Sequence, residues 1–303
     1  MRILENANFN FVGNRRKAYI ISGILILVSL ASLVTRQVEM GIDFLGGMEF
    51  VVETQEDLEA TAVRSALTGP LGAEPEVKTF GDNQLLIRTS AEGDLNEVQS
   101  QVVEGITAAF SGAQPQVVKT DIVGPRFADD LKQGALYSVL GSLLVIFVYI
   151  LIRFEWRYGL GAVAALFHDV VITLGLFSIG YGWLPFSLTI DQTIIAAFLT
   201  IVGYSINDTV IVFDRIREYN NLFKTEPFPE MVNRAINNTL SRTFITSGTT
   251  LLVVTVLFIF GGEVLRGFAF ALMVGIGIGT YSSIFVASPV VIELKARAAA
   301  ARR

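Results

Sequence analysis

Asp208 is the only charged residue between Thr193 and Phe213, a stretch otherwise built from apolar and small polar side chains. A run of that length can cross a bilayer as a helix. Asp208 lies five residues from the charged end of the run, roughly 8 Å inside at 1.5 Å per residue. An ionisable group at such depth costs at least about 2.5–3.5 kcal/mol. It must therefore face protein or water, hold a proton, or be paired. Four-residue steps put Thr200, Tyr204 and Asp208 on one helix face, with Asn207 beside them. Arg242 opens the next apolar run, Thr243–Gly262, and Thr246 with Thr249 or Thr250 continues its face. Its long arm could rise to the depth of Asp208, or could simply snorkel at the interface. His168 and Asp169 lie near the middle of a third apolar run, Tyr158–Tyr181. They could extend a proton path or pin a helix contact by hydrogen bonding. The pinning role is the simpler one for His168, and Asp169 stands evenly between the two. The chemistry these groups share is proton transfer. A carboxyl balanced between burial, which favours its neutral form, and a nearby cation, which favours its charged form, can load a proton from one side and release it to the other.

The elements that must position these groups are membrane helices. The chain has 303 residues, of which 52% are hydrophobic and 17% charged, with a mean hydropathy of +0.55. Average soluble domains carry about 25% charge, which argues against a soluble cytosolic enzyme. The net charge of -5 leaves no basic footprint for nucleic acid. There is no cysteine and a single histidine, so disulfides, thiolate sites and multi-histidine metal centres are excluded, and neither metal nor cofactor is expected. No Gly-x-x-x-x-Gly-Lys-Ser/Thr motif occurs, which leaves no sign of ATP hydrolysis; an enzyme is not expected. Six spans are predicted, over 18–35, 133–152, 158–181, 193–213, 243–262 and 267–292. The first is longer than a signal-peptide core and lacks an Ala-x-Ala site, so it reads as a retained anchor. Fifteen Lys and Arg flank the spans on the side of the N-terminal segment 1–17, the loops 153–157 and 214–242 and the C-terminal segment 293–303, against Arg266 alone in the two short opposite loops. That asymmetry predicts cytoplasmic termini. Ala271, Gly275 and Gly279 share one face of the last span, a small-residue stripe for close helix packing.

Between the first two spans lies a mostly polar segment, 36–127, predicted to be an external domain. Strands are expected at 49–53, 77–80, 84–89 and 116–123, with a turn at Gly81-Asp82-Asn83. Helices are expected over 55–67, ended by Gly69-Pro70, and from Asp94 to Phe110, with Asp94 and Glu97 as a capping box. The order βαββαβ predicts a ferredoxin-like α+β fold, which hosts many functions and identifies none. The fold class expected for the whole chain is thus an α-helical integral membrane protein with six spans and one extracytoplasmic ferredoxin-like domain between the first two. No catalytic constellation stands out in that domain.

Four blocks then carry a resemblance. Gly41-Ile42-Asp43-Phe44-Leu45-Gly46-Gly47 follows the first span. Ile201-Val202-Gly203-Tyr204-Ser205-Ile206-Asn207-Asp208-Thr209 runs on to Phe213-Asp214-Arg215-Ile216-Arg217-Glu218. Leu240-Ser241-Arg242-Thr243 and Gly279-Thr280-Tyr281-Ser282-Ser283-Ile284 complete the set. In this order they resemble the SecD/SecF family of bacterial protein-export factors, on its smaller SecF side, within the resistance-nodulation-division superfamily. The resemblance covers essentially the whole chain. It implies a half-transporter in the bacterial inner membrane that pairs with SecD beside the SecYEG channel, with YajC and YidC associated. It implies use of the proton-motive force to promote export of unfolded preproteins after SecA has driven their insertion. It carries the family's membrane carboxylate onto Asp208 and its essential arginine onto Arg242. Asp43, Gly46 and Gly47 fall in a family block below the external domain whose role is open. A proton-coupled exporter of small molecules and a passive translocase scaffold are the alternatives.

Overall fold

The computed structural model describes residues 7–81, 83–90, 93–184 and 186–301. Asp82 of the expected turn and Arg2, Arg302 and Arg303 of the charge count lie outside them. In chain order the elements are α1 (Arg15–Thr35), α2 (Ile42–Leu45), β1 (Gly47–Glu53), α3 (Ala60–Leu71), β2 (Glu76–Thr79), β3 (Gln84–Thr89), α4 (Leu95–Ala109) and β4 (Gln116–Val123). They continue with α5 (Pro125–Arg153), α6 (Trp156–Gly180), α7 (Gln192–Leu222), α8 (Phe228–Phe260) and α9 (Gly262–Ser282), then a π-helical turn (Ser283–Ala287) and α10 (Ser288–Ala300). Among the described residues six helical stretches are long and apolar enough to cross a membrane: α1, α5, α6, α7, α8 and Leu265–Ala300.

The helices outrun the predicted spans. The segment 214–242, expected as a loop, is helical except between Leu222 and Phe228. Charge ends a membrane span, but it does not end a helix. Arg215 and Glu218 pair three residues apart at 2.8 Å, which supports a helix in water. The π-helical turn has a local cause. Pro289 has no N–H to donate back along the helix, and the hydroxyl of Ser288 instead donates to the Ser283 carbonyl at 2.9 Å.

The chain divides into two compact units. The helical unit comprises Met1–Gln37, Ser138–Ile179 and Ile194–Arg303. Its core gathers Ile150, Phe154, Tyr158, Phe213, Ile216 and Val291, with Tyr158 and Phe213 edge to face at 5.0 Å. An added Cβ at Gly275 would lie 2.3 Å from the Ile201 side chain, and one at Gly279 would lie 3.0 Å from Ser205. The absence of side chains at these two positions is what brings α9 against α7.

The second unit comprises Val38–Tyr137 and Gly180–Thr193. Its four strands run in the order β2-β3-β1-β4, all antiparallel. Met48, Phe50 and Val52 point from β1 to one face, where Val63, Leu67, Val98, Val102 and Ile106 of α3 and α4 cover them. Period-two alternation on the strand meets i, i+4 spacing on the helices. Helix α3 starts later than expected and passes through Gly69-Pro70 to Leu71. Leu67 and Leu71 are both buried one turn apart, and Gly72, at φ 65°, supplies the left-handed residue that ends the helix. Asp94 caps α4 by accepting from the Asn96 N–H at 2.9 Å.

An ionic cluster lies across the sheet. Arg88 Nε donates to Glu49 at 2.6 Å, Arg88 Nη1 is 3.6 Å from Glu76, Lys78 pairs with Glu76, and Glu39 lies 3.9 Å from Lys78. Burial pushes the Glu76 carboxyl up, but its hydrogen bond to Lys78 and the charges of Lys78 and Arg88 outweigh it and hold it below its ordinary value. For Glu39 burial prevails over Lys78, and the carboxyl is raised. Glu39 thus takes up a proton before Glu76. A carboxyl depressed on folding stabilises above its unfolded value and loses that stabilisation as pH falls through the folded one. Glu76→Gln should therefore speed amide exchange in β2 and β3 at pH 7. That difference from wild type should vanish once the pH is well below 4.5, the ordinary value for this group. Exchange measured by mass spectrometry on the full-length protein at both pH values checks it.

Candidate functional site

Among the described residues two carboxylates are buried in the helical unit. Asp169 on α6 and Asp208 on α7 are 1% and 2% exposed. Such groups survive in an apolar bundle only where their lone pairs are met.

Asp169 is met from three helices. Its Oδ1 faces Nδ1 of His168 at 2.9 Å. Its Oδ2 accepts from Ser205 of α7 at 2.6 Å and from Ser282 of α9 at 2.8 Å. His168, itself 1% exposed, reaches on through Nε2 to Ser22 of α1 at 3.1 Å. Ser22 is 3.1 Å from the Tyr281 hydroxyl, which lies 3.1 Å from the Ala18 carbonyl. Two proton arrangements satisfy this chain. With both ring nitrogens protonated, His168 donates to Asp169 and to Ser22, Ser22 donates to Tyr281, and Tyr281 donates to the Ala18 carbonyl. With His168 neutral, Ser22 donates to Nε2 instead and Tyr281 can turn to Ser22, releasing the carbonyl. The protonation state of one imidazole therefore sets the direction of a hydroxyl relay.

Asp208 has a lighter shell. Ser247 of α8 donates to its Oδ2 at 3.4 Å. Ser247 is in turn 2.7 Å from the Thr280 hydroxyl of α9 and accepts from Tyr204 at 3.4 Å. Ser205 and Thr280 lie close in sequence to residues of both clusters, so α7 and α9 carry ligands for each. The two carboxylates share no hydrogen bond.

Among the residues singled out by sequence, Asp208 and Tyr204 meet through Ser247, and His168 and Asp169 meet directly. Arg242 is exposed on α8 and acts on Asp208 through its charge without closing an ion pair with it. Asn207 is exposed on α7. Asp43, Gly46 and Gly47 belong to the other unit. Gly46 and Gly47 take φ of 76° and 119°, and a Cβ on Gly47 would sit 2.7 Å from the Thr89 carbonyl oxygen. Both glycines answer to backbone conformation, and Asp43 is described below. Ala271 is fully buried, in line with Gly275 and Gly279 on α9. Sequence reasoning assigned no role to Ser22, Ser205, Ser247, Thr280, Tyr281 or Ser282. Four of these lie inside the quoted blocks. Ser22 and Ser247 had no signal beyond a hydroxyl in an apolar run.

Residues 102–297 match the family described as "Protein export membrane protein SecD/SecF, C-terminal". The chain belongs to the SecD/SecF family. It is 73% identical over 303 residues to the protein translocase subunit SecF of Rhodothermus marinus, covering 100% of this chain and 98% of that protein. It is 42% identical over 296 residues to the SecF of Desulfurispirillum indicum, covering 95% and 92%. Its fold is similar to the crystal structure of SecDF, a translocon-associated membrane protein from Thermus thermophilus, with a TM-score of 0.86 and 35% identity. That match covers 97% of this chain, which spans 40% of the SecDF chain. Membership places the chain among multi-pass membrane translocase subunits.

Removing one member of a buried charged pair costs about 3–5 kcal/mol, whereas replacing both by apolar groups is often tolerated. Asp169→Leu should therefore strip most of the stability of the helical unit. His168→Leu combined with Asp169→Leu should recover much of it. Thermal unfolding of the three proteins in one detergent measures the difference.

Proposed function

We propose that this chain acts as the SecF half of a proton-driven export factor. It binds and releases protons at Asp208, with the buried His168–Asp169 pair linking the helices around it, and thereby promotes the late translocation of unfolded proteins. It performs no covalent chemistry. The observation that carries the reading is Asp208: a buried carboxyl in an apolar helix, met by the hydroxyls of Ser247 at 3.4 Å and of Thr280, and within electrostatic reach of Arg242 with no ion pair closed on it. A carboxylate meant only to fasten helices would be expected in a shell like that of Asp169. A group that must exchange a proton needs a shell that can let go.

Other features fit the same reading. Gly203, Asn207, Arg242 and Thr249 are exposed on α7 and α8, next to the Asp208 cluster in sequence. A polar face within or beside apolar spans needs a membrane-embedded partner to cover it, and SecD is that partner here. Arg242 then acts on Asp208 in the pair or on the facing half. The Lys and Arg asymmetry supports cytoplasmic termini and a periplasmic sheet domain. The order βαββαβ with strands β2-β3-β1-β4 supports a ferredoxin-like reading of that domain. SecYEG, YajC, YidC and SecA enter through the family resemblance.

The energy suffices. One proton falling through 100 mV releases about 2.3 kcal/mol, enough to shift a two-state equilibrium by more than tenfold. Asp208→Asn, assembled with SecD, should leave complex formation intact and abolish the gain in export that an imposed gradient gives. Export into energised inverted vesicles, with and without an ionophore, measures it. Normal gradient-dependent export by this variant would leave only a scaffold.

A further inference from the structure

The loop joining α6 to α7 is not a free connection. Residues Gly180–Thr193 group with the sheet domain rather than with the helices they join. Both of its ends are fastened. At the α6 end, Tyr181 donates through its hydroxyl to Glu76 of β2 at 3.2 Å, and the Lys78 ammonium lies 4.2 Å from the centre of its ring. Glu76 and Lys78 belong to the ionic cluster that Arg88, Glu49 and Glu39 complete. At the α7 end, Met40 and Ile190 form a parallel bridge. Ile190 N–H donates to the Glu39 carbonyl at 2.7 Å, and Gly41 N–H donates to the Ile190 carbonyl at 2.8 Å. A Cβ on Gly41 would lie 3.3 Å from both that carbonyl oxygen and the Asp191 side chain, so the close approach depends on glycine. The Asp43 carboxylate accepts from the N–H of Gln192 at 2.9 Å. Gln192 is the first residue of α7, and its N–H is one of the donors a helix cannot satisfy internally. A carboxylate there also matches the positive end of the helix dipole.

Helix α6 carries His168 and Asp169, and helix α7 carries Asp208. We propose that Asp43 and Tyr181 are positioning residues that clamp the ends of these two proton-bearing helices to the sheet domain, making the α6–α7 loop the strap through which proton binding moves that domain. Asp43 caps α7 from outside the helix. Tyr181 ties the exit of α6 to β2 through Glu76 and Lys78. A tilt or rotation of either helix is then felt by the sheet without passing through the long chain segments on either side of it. This inference rests on the proton-driven reading above, and it gives the Asp43 block a task.

The test uses inverted vesicles carrying the complete translocase with this chain and reads two quantities: gradient-dependent export and the accompanying proton flux. In Asp43→Ala combined with Tyr181→Phe, flux should persist within about twofold while the export gain falls about tenfold, the scale of one hydrogen bond to a charged group. Asp43→Asn keeps an oxygen facing Gln192 and should restore most of that gain. Co-purification with SecD reports assembly, and if the double variant fails to assemble, Tyr181→Phe alone, which removes one hydroxyl, is judged by the same split. Unchanged export in the assembled variants would overturn the strap. So would export and flux falling in proportion, which marks general damage. A wild type showing no gradient-dependent export would instead sink the proton-driven reading itself, so the two failures are distinguishable.

Discussion

A carboxylate inside an apolar helix bundle has few ways to exist, and the helical unit is arranged around meeting that demand twice. Asp169 draws hydroxyls from α7 and α9 and an imidazole from its own helix, and that imidazole reaches α1. Asp208 draws on α8 and, through Ser247, on α9. The close approach of α9 to α7 at Gly275 and Gly279 brings the two helices that supply both shells together. The π-helical turn opens directly after Ser282, where a rigid α-helix would give way least. Packing and polarity are therefore one problem here. Moving a proton on either acid changes which hydroxyls donate, and so changes what holds the helices together.

The difference between the two shells divides the work. Asp169 is bound tightly on both oxygens, so it fixes four helices relative to one another. Asp208 is met by Ser247 at 3.4 Å and by Thr280, feels the charge of Arg242 without a closed ion pair, and is the one that can change partner. The sheet domain has its own ionic cluster, and that cluster includes the residues that meet the α6–α7 loop. Its side chains are partly to mostly buried, yet nearer to solvent than the His168–Asp169 pair of the bundle, and so more sensitive to salt.

Much of this is legible in the sequence, for physical reasons. Asp208 and Asp169 interrupt apolar runs, and a charge in such a run has few bland explanations. The four strands and two helices of the sheet domain follow from alternation and from Asp94 and glycine as punctuation. What stays hidden is the hydroxyl shell. Thr200, Thr246 and Thr249 donate to carbonyls of their own helices, whereas Ser205, Ser247 and Ser282 reach carboxylates. In sequence the two kinds look alike, since serine and threonine satisfy themselves in any helix. The role of Arg242 stays open in the sequence, because a long basic side chain at a span boundary fits a pairing and a snorkelling geometry equally well. The helical course of 214–242 stays hidden because charge marks the boundary of a membrane span and not that of a helix. The strap was invisible because its contacts join residues about 150 positions apart, as with Asp43 and Gln192.

The central claim is that Asp208 changes protonation state during work. Infrared difference spectroscopy of the reconstituted complex, recorded as a gradient is imposed and collapsed, reads carboxyl protonation directly. The account predicts a carboxylic-acid C=O band that appears and disappears with the gradient in wild type and is missing in Asp208→Asn. A wild-type spectrum with no such band, or the same band in both proteins, would contradict it.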